Sequence, residues 1–163
     1  MIIHIKNKET LKVDFFEFKC SVGKNGLTKI KREGDMKTPK GIFSIGDLYY
    51  RRDRNCKIET KLKTVPILKH MGWCDDSNSI KYNKLIKVTN KIKHERLYLK
   101  NNKYDLLIPI HYNMKPIIKN KGSAIFIHLT KNFKSTAGCI AISKKDFLIL
   151  LKIITPKTKI KID

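Results

Sequence analysis

Short runs in which apolar and polar residues alternate dominate the first part of the chain. The alternation is clear in "MIIHIK" at residues 1–6 and partial in "TLKVDFFEFKC" at residues 10–20. Successive side chains of a strand point to opposite faces of a sheet, so this pattern predicts half-buried strands. Residues 23–45 are rich in Gly, Asn and Pro, which is typical of turns around short strands.

Longer apolar runs follow in the second part. Residues 96–113, "RLYLKNNKYDLLIPIHYN", predict two strands around the polar turn at residues 101–103. "GSAIFIHL" at residues 122–129 and "GCIAIS" at residues 138–143 predict two buried strands. The alternating "KTKIKID" at residues 157–163 predicts a final strand.

One helix is predicted over about residues 144–154. Ser143 is a suitable N-cap, and Asp146 can complete a capping box, although its side chain is shorter than that of glutamate. An apolar stripe of helical spacing runs from Phe147 to Ile154, and a proline two residues further on marks the end. The pattern as a whole predicts a mainly β fold with one helix near the C-terminus.

Length and composition indicate one globular domain over residues 1–163. Hydrophobic residues make up 41% and charged residues 31% of the chain, which excludes a disordered protein. No apolar run approaches the ~20 residues that span a bilayer. The N-terminus has no apolar core of signal-peptide length. A cytoplasmic protein, an export signal outside this chain and another export route all remain open.

The net charge of +22 comes mostly from lysine, since only five of the 36 basic residues are arginines. Two interpretations are open: a composition bias that gives a solvated lysine-rich surface, or attraction to a polyanion or an anionic surface. Proteins that read bases rely on bidentate arginine contacts. Lysines spread along the whole chain therefore indicate diffuse attraction and predict no specific nucleic-acid partner.

The cysteines are Cys20, Cys56, Cys74 and Cys139. None forms a C-x-x-C pair and no His/Cys cluster has zinc-ligand spacing, so no metal site is predicted. We expect the first three to be small buried or half-buried thiols. Cys139 differs from them, because it follows a run of small residues and directly precedes an apolar strand.

The segment "HLTKNFKSTAGCIAIS", residues 128–143, combines His128 and Cys139. A thiol needs a nearby base to act as a nucleophile, and His128 lies beside Cys139 if the two predicted buried strands are neighbours. Gly138 lets a substrate carbonyl approach the backbone, and the N–H groups of residues 138 and 139 can stabilise an oxyanion. From these residues alone, a structural Cys/His pair remains the alternative to a catalytic one.

The same segment resembles the active-site segment of the L,D-transpeptidases of the YkuD type, which are bacterial cell-wall enzymes that use a cysteine. The family motif is a histidine, a variable loop and then Ser/Thr-x-Gly-Cys with an apolar residue after it. The matching positions here are His128, Thr136, Gly138, Cys139 and Ile140.

Three further segments extend the resemblance over most of the chain. Residues 32–45 are similar to the family's Gly-Asp-x-x-Thr-Pro-x-Gly-x-Phe hairpin. Residues 72–83 and 95–113 resemble segments of one branch of the family. The resemblance implies a β-sandwich of two mixed sheets, with the cysteine on a loop at one end.

The resemblance also implies a reaction. Cys139 would attack the amide between diaminopimelate and D-Ala in a peptidoglycan stem peptide, D-Ala would leave, and an amine of a second stem would resolve the thioester into a cross-link. Water as the acceptor would give an L,D-carboxypeptidase or amidase. No metal or cofactor is needed. His128 would act as the base, and the Thr136 carbonyl would hold its second nitrogen.

Two positions depart from the family pattern. Many members carry histidine before the glycine and arginine two residues after the cysteine, whereas this chain has Ala137 and Ala141. A guanidinium holds a carboxylate with two hydrogen bonds, so its absence leaves the donor anchor and the choice of stem positions undetermined. The candidates for lining the substrate pocket are Trp73, His111, Tyr112, Asn113 and Ala137. For Trp73, a position in the core is the alternative.

Partners and location follow from the same resemblance. The implied substrates are peptidoglycan stem peptides, and the implied location is the periplasm or the cell wall, where an anionic wall polymer would attract a chain of charge +22. The alternative from a different class is a non-catalytic basic protein that binds cell wall or nucleic acid. Such a protein would not require a reactive thiol at Cys139.

Overall fold

The structure, a computed structural model, describes residues 1–55 and 57–163. The prediction of a buried thiol at Cys56 falls outside the described residues. In chain order the elements are β1 (Ile2–Lys6), β2 (Thr10–Val13), β3 (Phe16–Ser21), β4 (Leu27–Thr28), β5 (Thr38–Pro39), β6 (Gly41–Ser44), β7 (Leu48–Tyr50), β8 (Thr64–Pro66), β9 (Met71–Cys74), β10 (Leu85–Lys87), β11 (His94–Arg96), β12 (Leu106–Pro109), β13 (Phe126–Leu129), β14 (Ile140–Ile142), α1 (Lys144–Ile153) and β15 (Lys159–Ile162).

Ten strands form one continuous sheet in the order β6-β15-β1-β2-β3-β14-β13-β12-β7-β8. Strand β3 joins the two halves of this sheet, because its first residues pair with β2 whereas Cys20 and Ser21 pair with β14. Each half contains parallel and antiparallel neighbours, so both halves are mixed.

The main core lies between the two halves. Its buried residues include Ile3 and Leu11 from the first half, and Ile108 and Ile127 from the second. Two halves that share one apolar core are the layers of a sandwich. The predicted mainly β sandwich is therefore confirmed. Two smaller sheets, β10-β9-β11 and β4-β5, flank it.

Helix α1 begins and ends close to the predicted positions. Ser143 Oγ accepts a hydrogen bond from the Asp146 backbone N at 3.1 Å and donates one to Asp146 Oδ2 at 2.7 Å, which confirms the predicted N-cap. The apolar stripe buries Phe147, Leu150 and Leu151 in the core. Among the residues that the structure describes, no helix is long and apolar enough to cross a membrane.

The two predicted buried strands are confirmed as β13 and β14, and all their residues are buried. They are parallel neighbours in which His128 pairs with Ala141. In a parallel pair the partners point to the same face, so Cys139 and His128 share a face of the sheet, offset by two residues. The expected proximity of the two side chains therefore arises from a crossover connection through residues 130–139.

The strands expected around residues 101–103 differ from the prediction in their partners. The first, β11, ends at Arg96 and pairs with β9 in the three-stranded sheet, whereas β12 pairs with β13 and β7. Leu97 and Tyr104 are both fully buried in a second apolar cluster around Phe126. The chain turns inward to bury these side chains, so the two strands do not form a hairpin.

Candidate active site

One cavity of about 510 Å³ is lined by both His128 and Cys139. Its walls come from the segment around residues 31–36, the segments around residues 93–95 and 101–104, both ends of β13 and the loop before β14. Ala137 and Gly138 also line this cavity. Thr136 lines it as well, so the fold brings together five of the residues that the sequence analysis singled out.

The Cys139 thiol is almost entirely shielded from bulk solvent. Only 7% of the residue is exposed, and Sγ donates a hydrogen bond to the Ala124 carbonyl at 3.2 Å. Burial raises the pKa of the thiol to about 12, and the charge of Glu95 acts in the same direction. The cysteine therefore carries its proton at neutral pH, and a base must remove that proton before the sulfur can attack.

His128 has the arrangement of a neutral base. Its Nδ1 lies 2.9 Å from the Leu129 carbonyl oxygen, which can only accept, so Nδ1 carries the proton and Nε2 holds a free lone pair. Nε2 is buried and has no hydrogen-bond partner within the described part of the chain. Burial lowers the pKa of the imidazole to about 4. The ring therefore stays uncharged at neutral pH.

The carbonyl that orients His128 is not the predicted one. The Thr136 carbonyl was expected to hold the second imidazole nitrogen, but it accepts a hydrogen bond from the Lys24 backbone N at 2.8 Å. A β-bridge between Gly23 and Thr136 directs that carbonyl away from the imidazole. The prediction was wrong on this point, and the Leu129 carbonyl has the role instead.

Thr136 closes the loop at residues 136–139 through its hydroxyl. Oγ1 accepts a hydrogen bond from the Gly138 N at 3.1 Å and donates one to the Cys139 carbonyl at 2.6 Å. These two bonds tie Thr136 to both of the last residues of this tight loop. The Gly138 N–H, which was predicted as an oxyanion donor, is thus engaged by Thr136 in this conformation.

Glycine is required at position 138. The residue has φ +143°, and a Cβ atom would lie 2.9 Å from the Lys37 carbonyl oxygen. Thr38 in β5 donates from Oγ1 to the Gly138 carbonyl at 2.8 Å and accepts from the Gly23 N at 2.9 Å. The segment that resembles the family's second motif forms no hairpin, because β5 pairs with β4 and β6 pairs with β15, but it supports the loop at residues 136–139 through Thr38.

Four of the predicted substrate-contacting residues have other partners and are not among the described residues that line the cavity. Trp73 is 4% exposed, donates from Nε1 to Asn83 Oδ1 at 3.0 Å and packs edge-on against Phe126. Trp73 therefore lies in the core, which was the alternative to a place in the substrate pocket. Its strand, β9, turns this side chain inward against β13.

The other three lie where the chain turns away after β12. His111 is exposed, with Nδ1 2.9 Å from Ser44 Oγ. The Tyr112 ring packs edge-on against Phe43, and its hydroxyl donates to the Lys121 carbonyl. Asn113 bonds to the backbone of Ile118 and Gly122 and so closes its own loop.

The structure adds cavity residues that the sequence analysis did not place there. The Tyr104 ring packs edge-on against His128 with centroids 5.3 Å apart, and its hydroxyl donates to Glu95. Lys103 Nζ lies 2.9 Å from Glu95 Oε1. For Asp75 the available signal was local, because this carboxylate directly follows the apolar run at residues 71–74, although such a position also suits a capped turn. Glu95 lies in a polar stretch and gave no such signal.

Comparison with known proteins agrees with this fold and site. The sequence model of the YkuD L,D-transpeptidase catalytic domain matches residues 2–162. Searches of curated proteins and of solved structures found no match. A β domain with a buried cysteine and a free imidazole in one cavity suits the chemistry of cysteine acyl transfer. The chain belongs to the YkuD family of L,D-transpeptidase catalytic domains.

The family as a whole has a known class of activity. The family consists of cysteine-dependent L,D-transpeptidases that act in peptidoglycan and are typically found at the cell wall or in the periplasm.

Replacement of Gly138 by alanine should disrupt the site more than the fold. The new methyl group would contact the Lys37 carbonyl, and the strained φ costs roughly 1–3 kcal/mol. We expect slower alkylation of Cys139 by iodoacetamide, measured by peptide mass spectrometry. Gly26→Ala is the matched control, because position 26 also has positive φ (+80°), does not line this cavity, and a Cβ atom there would meet only the flexible side chain of Lys8. Equal alkylation rates in the two variants would contradict the role of Gly138.

Burial of neutral His128 predicts a pH-dependent stability. Its folded pKa of about 4 is below the ordinary value of 6.5, so the unfolded chain binds the extra proton first. The stabilising contribution is complete above pH 6.5 and is lost as the pH falls towards 4. From pH 7 to 4.5, the unfolding free energy in urea should fall by about 2 kcal/mol more in the native protein than in His128→Gln. His70→Gln, at an exposed histidine, should keep the native dependence.

Proposed function

We propose that the protein is a peptidoglycan L,D-transpeptidase in which Cys139 is the nucleophile and His128 the general base. The carrying observation is the unpartnered Nε2 of a neutral His128 on the wall of the cavity that also contains the Cys139 thiol. A free imidazole lone pair beside a protonated thiol is the arrangement from which general-base activation starts. Family membership supplies the substrate class.

The proposed first step is acylation. The thiol proton leaves its bond with the Ala124 carbonyl and passes to His128 Nε2, while the Leu129 carbonyl stabilises the imidazolium through Nδ1. The net charge of the cavity does not change, so the attraction between thiolate and imidazolium offsets part of the burial penalty of each ion. Sulfur attacks the diaminopimelate carbonyl that is bonded to D-Ala.

Acylation ends when the imidazolium returns its proton to the nitrogen of departing D-Ala, which leaves a thioester on Cys139. In the second step, the amine of a second stem attacks the thioester carbonyl, loses its proton to His128 and forms the cross-linking amide. The expelled thiolate takes that proton back. The Gly138 N–H reaches the developing oxyanion only by leaving Thr136 Oγ1, so a rotation of Thr136 accompanies this chemistry in the proposal.

Hydrolysis by the same thioester is the second candidate. The cavity is lined by several lysines and carboxylates, which hold water readily, and water in place of the amine gives an L,D-carboxypeptidase.

The charge of +22 supports adhesion to an anionic wall polymer as a further part of the proposal. The proposed location is the cell wall or the periplasm, as for the family.

Purified disaccharide tetrapeptides test the reaction. The native protein should give a thioester mass shift on Cys139 and cross-linked or hydrolysed products by mass spectrometry. Cys139→Ser should give neither, because the same imidazole activates an alcohol far less readily. Cys20→Ala is the control, since Cys20 is buried in the core away from the cavity. Full turnover by Cys139→Ser would overturn the enzymatic proposal.

The pH dependence of Cys139 alkylation tests the role of His128. Because the imidazole is neutral above about pH 4, the native rate should contain a pH-independent component from about pH 5 to 8. His128→Ala should lose it, react ~10²–10⁴-fold more slowly at pH 7 and accelerate with every increase in pH, since burial raises the Cys139 pKa to about 12. His111→Ala should match the native profile. The same profile in native protein and His128→Ala would make His128 a structural histidine.

A further inference from the structure

Three carboxylates line the wall of the Cys139 cavity. The chain has 36 basic and only 14 acidic side chains, and Glu33, Asp75 and Glu95 all line this one cavity, together with Lys31, Lys93, Lys103, Lys131 and Lys134. They are close enough to influence one another. Burial is the main factor that raises the pKa of Asp75, and the charges of Glu33 and Glu95 add to it.

Two of these carboxylates lack a close cation. Glu95 is paired with Lys103 at 2.9 Å. Glu33 accepts hydrogen bonds from the neutral hydroxyls of Tyr82 and Ser123, and no basic side chain in residues 1–55 and 57–163 lies within ion-pair distance of it. Asp75 has only a long pairing with Lys93.

The pairing of Asp75 with Lys93 is weak. The Nζ to Oδ2 distance is 3.8 Å, and the Lys93 side chain is 74% exposed. An exposed and flexible lysine at that distance contributes little. Neither Asp75 nor Glu33 is therefore held in a close ion pair by the described side chains.

Unpartnered polar atoms concentrate at the same place. In the described part of the chain, three buried side-chain polar atoms have no hydrogen-bond partner: Asp75 Oδ1, His128 Nε2 and Thr130 Oγ1. All three residues line this cavity, and His128 is only 3% exposed. A buried polar atom without a partner is costly, so such atoms are retained where a ligand completes their bonding. Their convergence on one cavity points to a polar ligand.

The chemistry of the wall selects the ligand. An ionised carboxylate is an acceptor only, and a primary ammonium group offers three donors together with the compensating charge. We propose that Asp75, flanked by Glu33 and Glu95, forms a subsite for a protonated primary amine of the substrate. The inference rests on the proposed function, in which both the donor and the acceptor stem carry such an amine.

The physics favours the amine that does not react. A carboxylate wall holds an amine in its protonated form, whereas the attacking amine must give up its proton before it forms a bond. The free amine on the diaminopimelate side chain of the donor stem is therefore the first occupant to test. An acceptor amine has the same chemistry, and the reaction kinetics separate the two sources.

Binding without turnover tests the subsite directly. In a Cys139→Ala background, calorimetry would compare a disaccharide tetrapeptide with an otherwise identical stem whose side-chain amine is replaced by hydrogen. We expect about ten-fold weaker binding of the deamino stem, the size of one charge-assisted hydrogen bond. The deamino stem is smaller, so a steric clash cannot produce this result.

Paired variants assign the effect to Asp75. Asp75→Asn in the same background should bind the two stems equally. Asp76→Asn is the matched control, because its carboxylate is next in sequence, is not among the residues that line the cavity, and accepts from the Asn78 N in a way that asparagine preserves. Circular dichroism and thermal melting would check that each variant is folded.

Each outcome has a defined consequence. Equal affinity for the two stems with Asp75 present overturns the subsite, even if no Asp75 variant folds. A preference that persists in Asp75→Asn overturns the assignment to Asp75. With Cys139 intact, slower acylation in the Asp75→Asn variant places the donor amine in the subsite. If that variant instead needs a higher acceptor concentration for half-maximal transfer, the acceptor amine occupies it. If the protein preferred the stem with the amine but never formed a thioester, the proposed function would be refuted and the subsite kept. If it formed a thioester but bound both stems equally, the subsite would be refuted and the proposed function kept.

Discussion

The parallel pairing of β13 with β14 is the constraint on which the site depends. Two parallel strands cannot be joined by a tight turn, so the chain crosses back from the end of β13 to the start of β14. This crossover puts His128 and Cys139 on one face of the sheet. It also packs the loop at residues 136–139 against the segment before β5, where the Lys37 carbonyl leaves no room for a Cβ atom at Gly138.

Burial sets the electrostatic character of the cavity. Desolvation raises the pKa of Cys139 and lowers that of His128, so the resting pair is a thiol and a neutral imidazole. A neutral pair is stable in a buried site, and a proton transfer within it creates no net charge. Glu33, Asp75 and Glu95 line the same cavity together with five lysines, so its wall carries charges of both signs.

Local patterns predicted the elements that are stabilised by local rules. Alternation identified β1 and the final strand, and the N-cap at Ser143 identified the start of α1, because capping and periodicity act within a few residues. The partners of β11 and β12 were not predictable in this way. They depend on where Leu97 and Tyr104 find apolar neighbours, and Phe126 in that cluster is distant in sequence from Leu97.

The sequence by itself determined the family, the mainly β class and the two residues of the proposed chemistry, because the motif around Cys139 is contiguous and its spacing is characteristic. Only the tertiary structure decided which groups surround them. The Leu129 carbonyl replaced that of Thr136, Trp73 went to the core, and Asp75 came to the cavity wall. Hydrogen-bond partners and burial arise from segments that are far apart in the chain, and no local pattern records which of them meet.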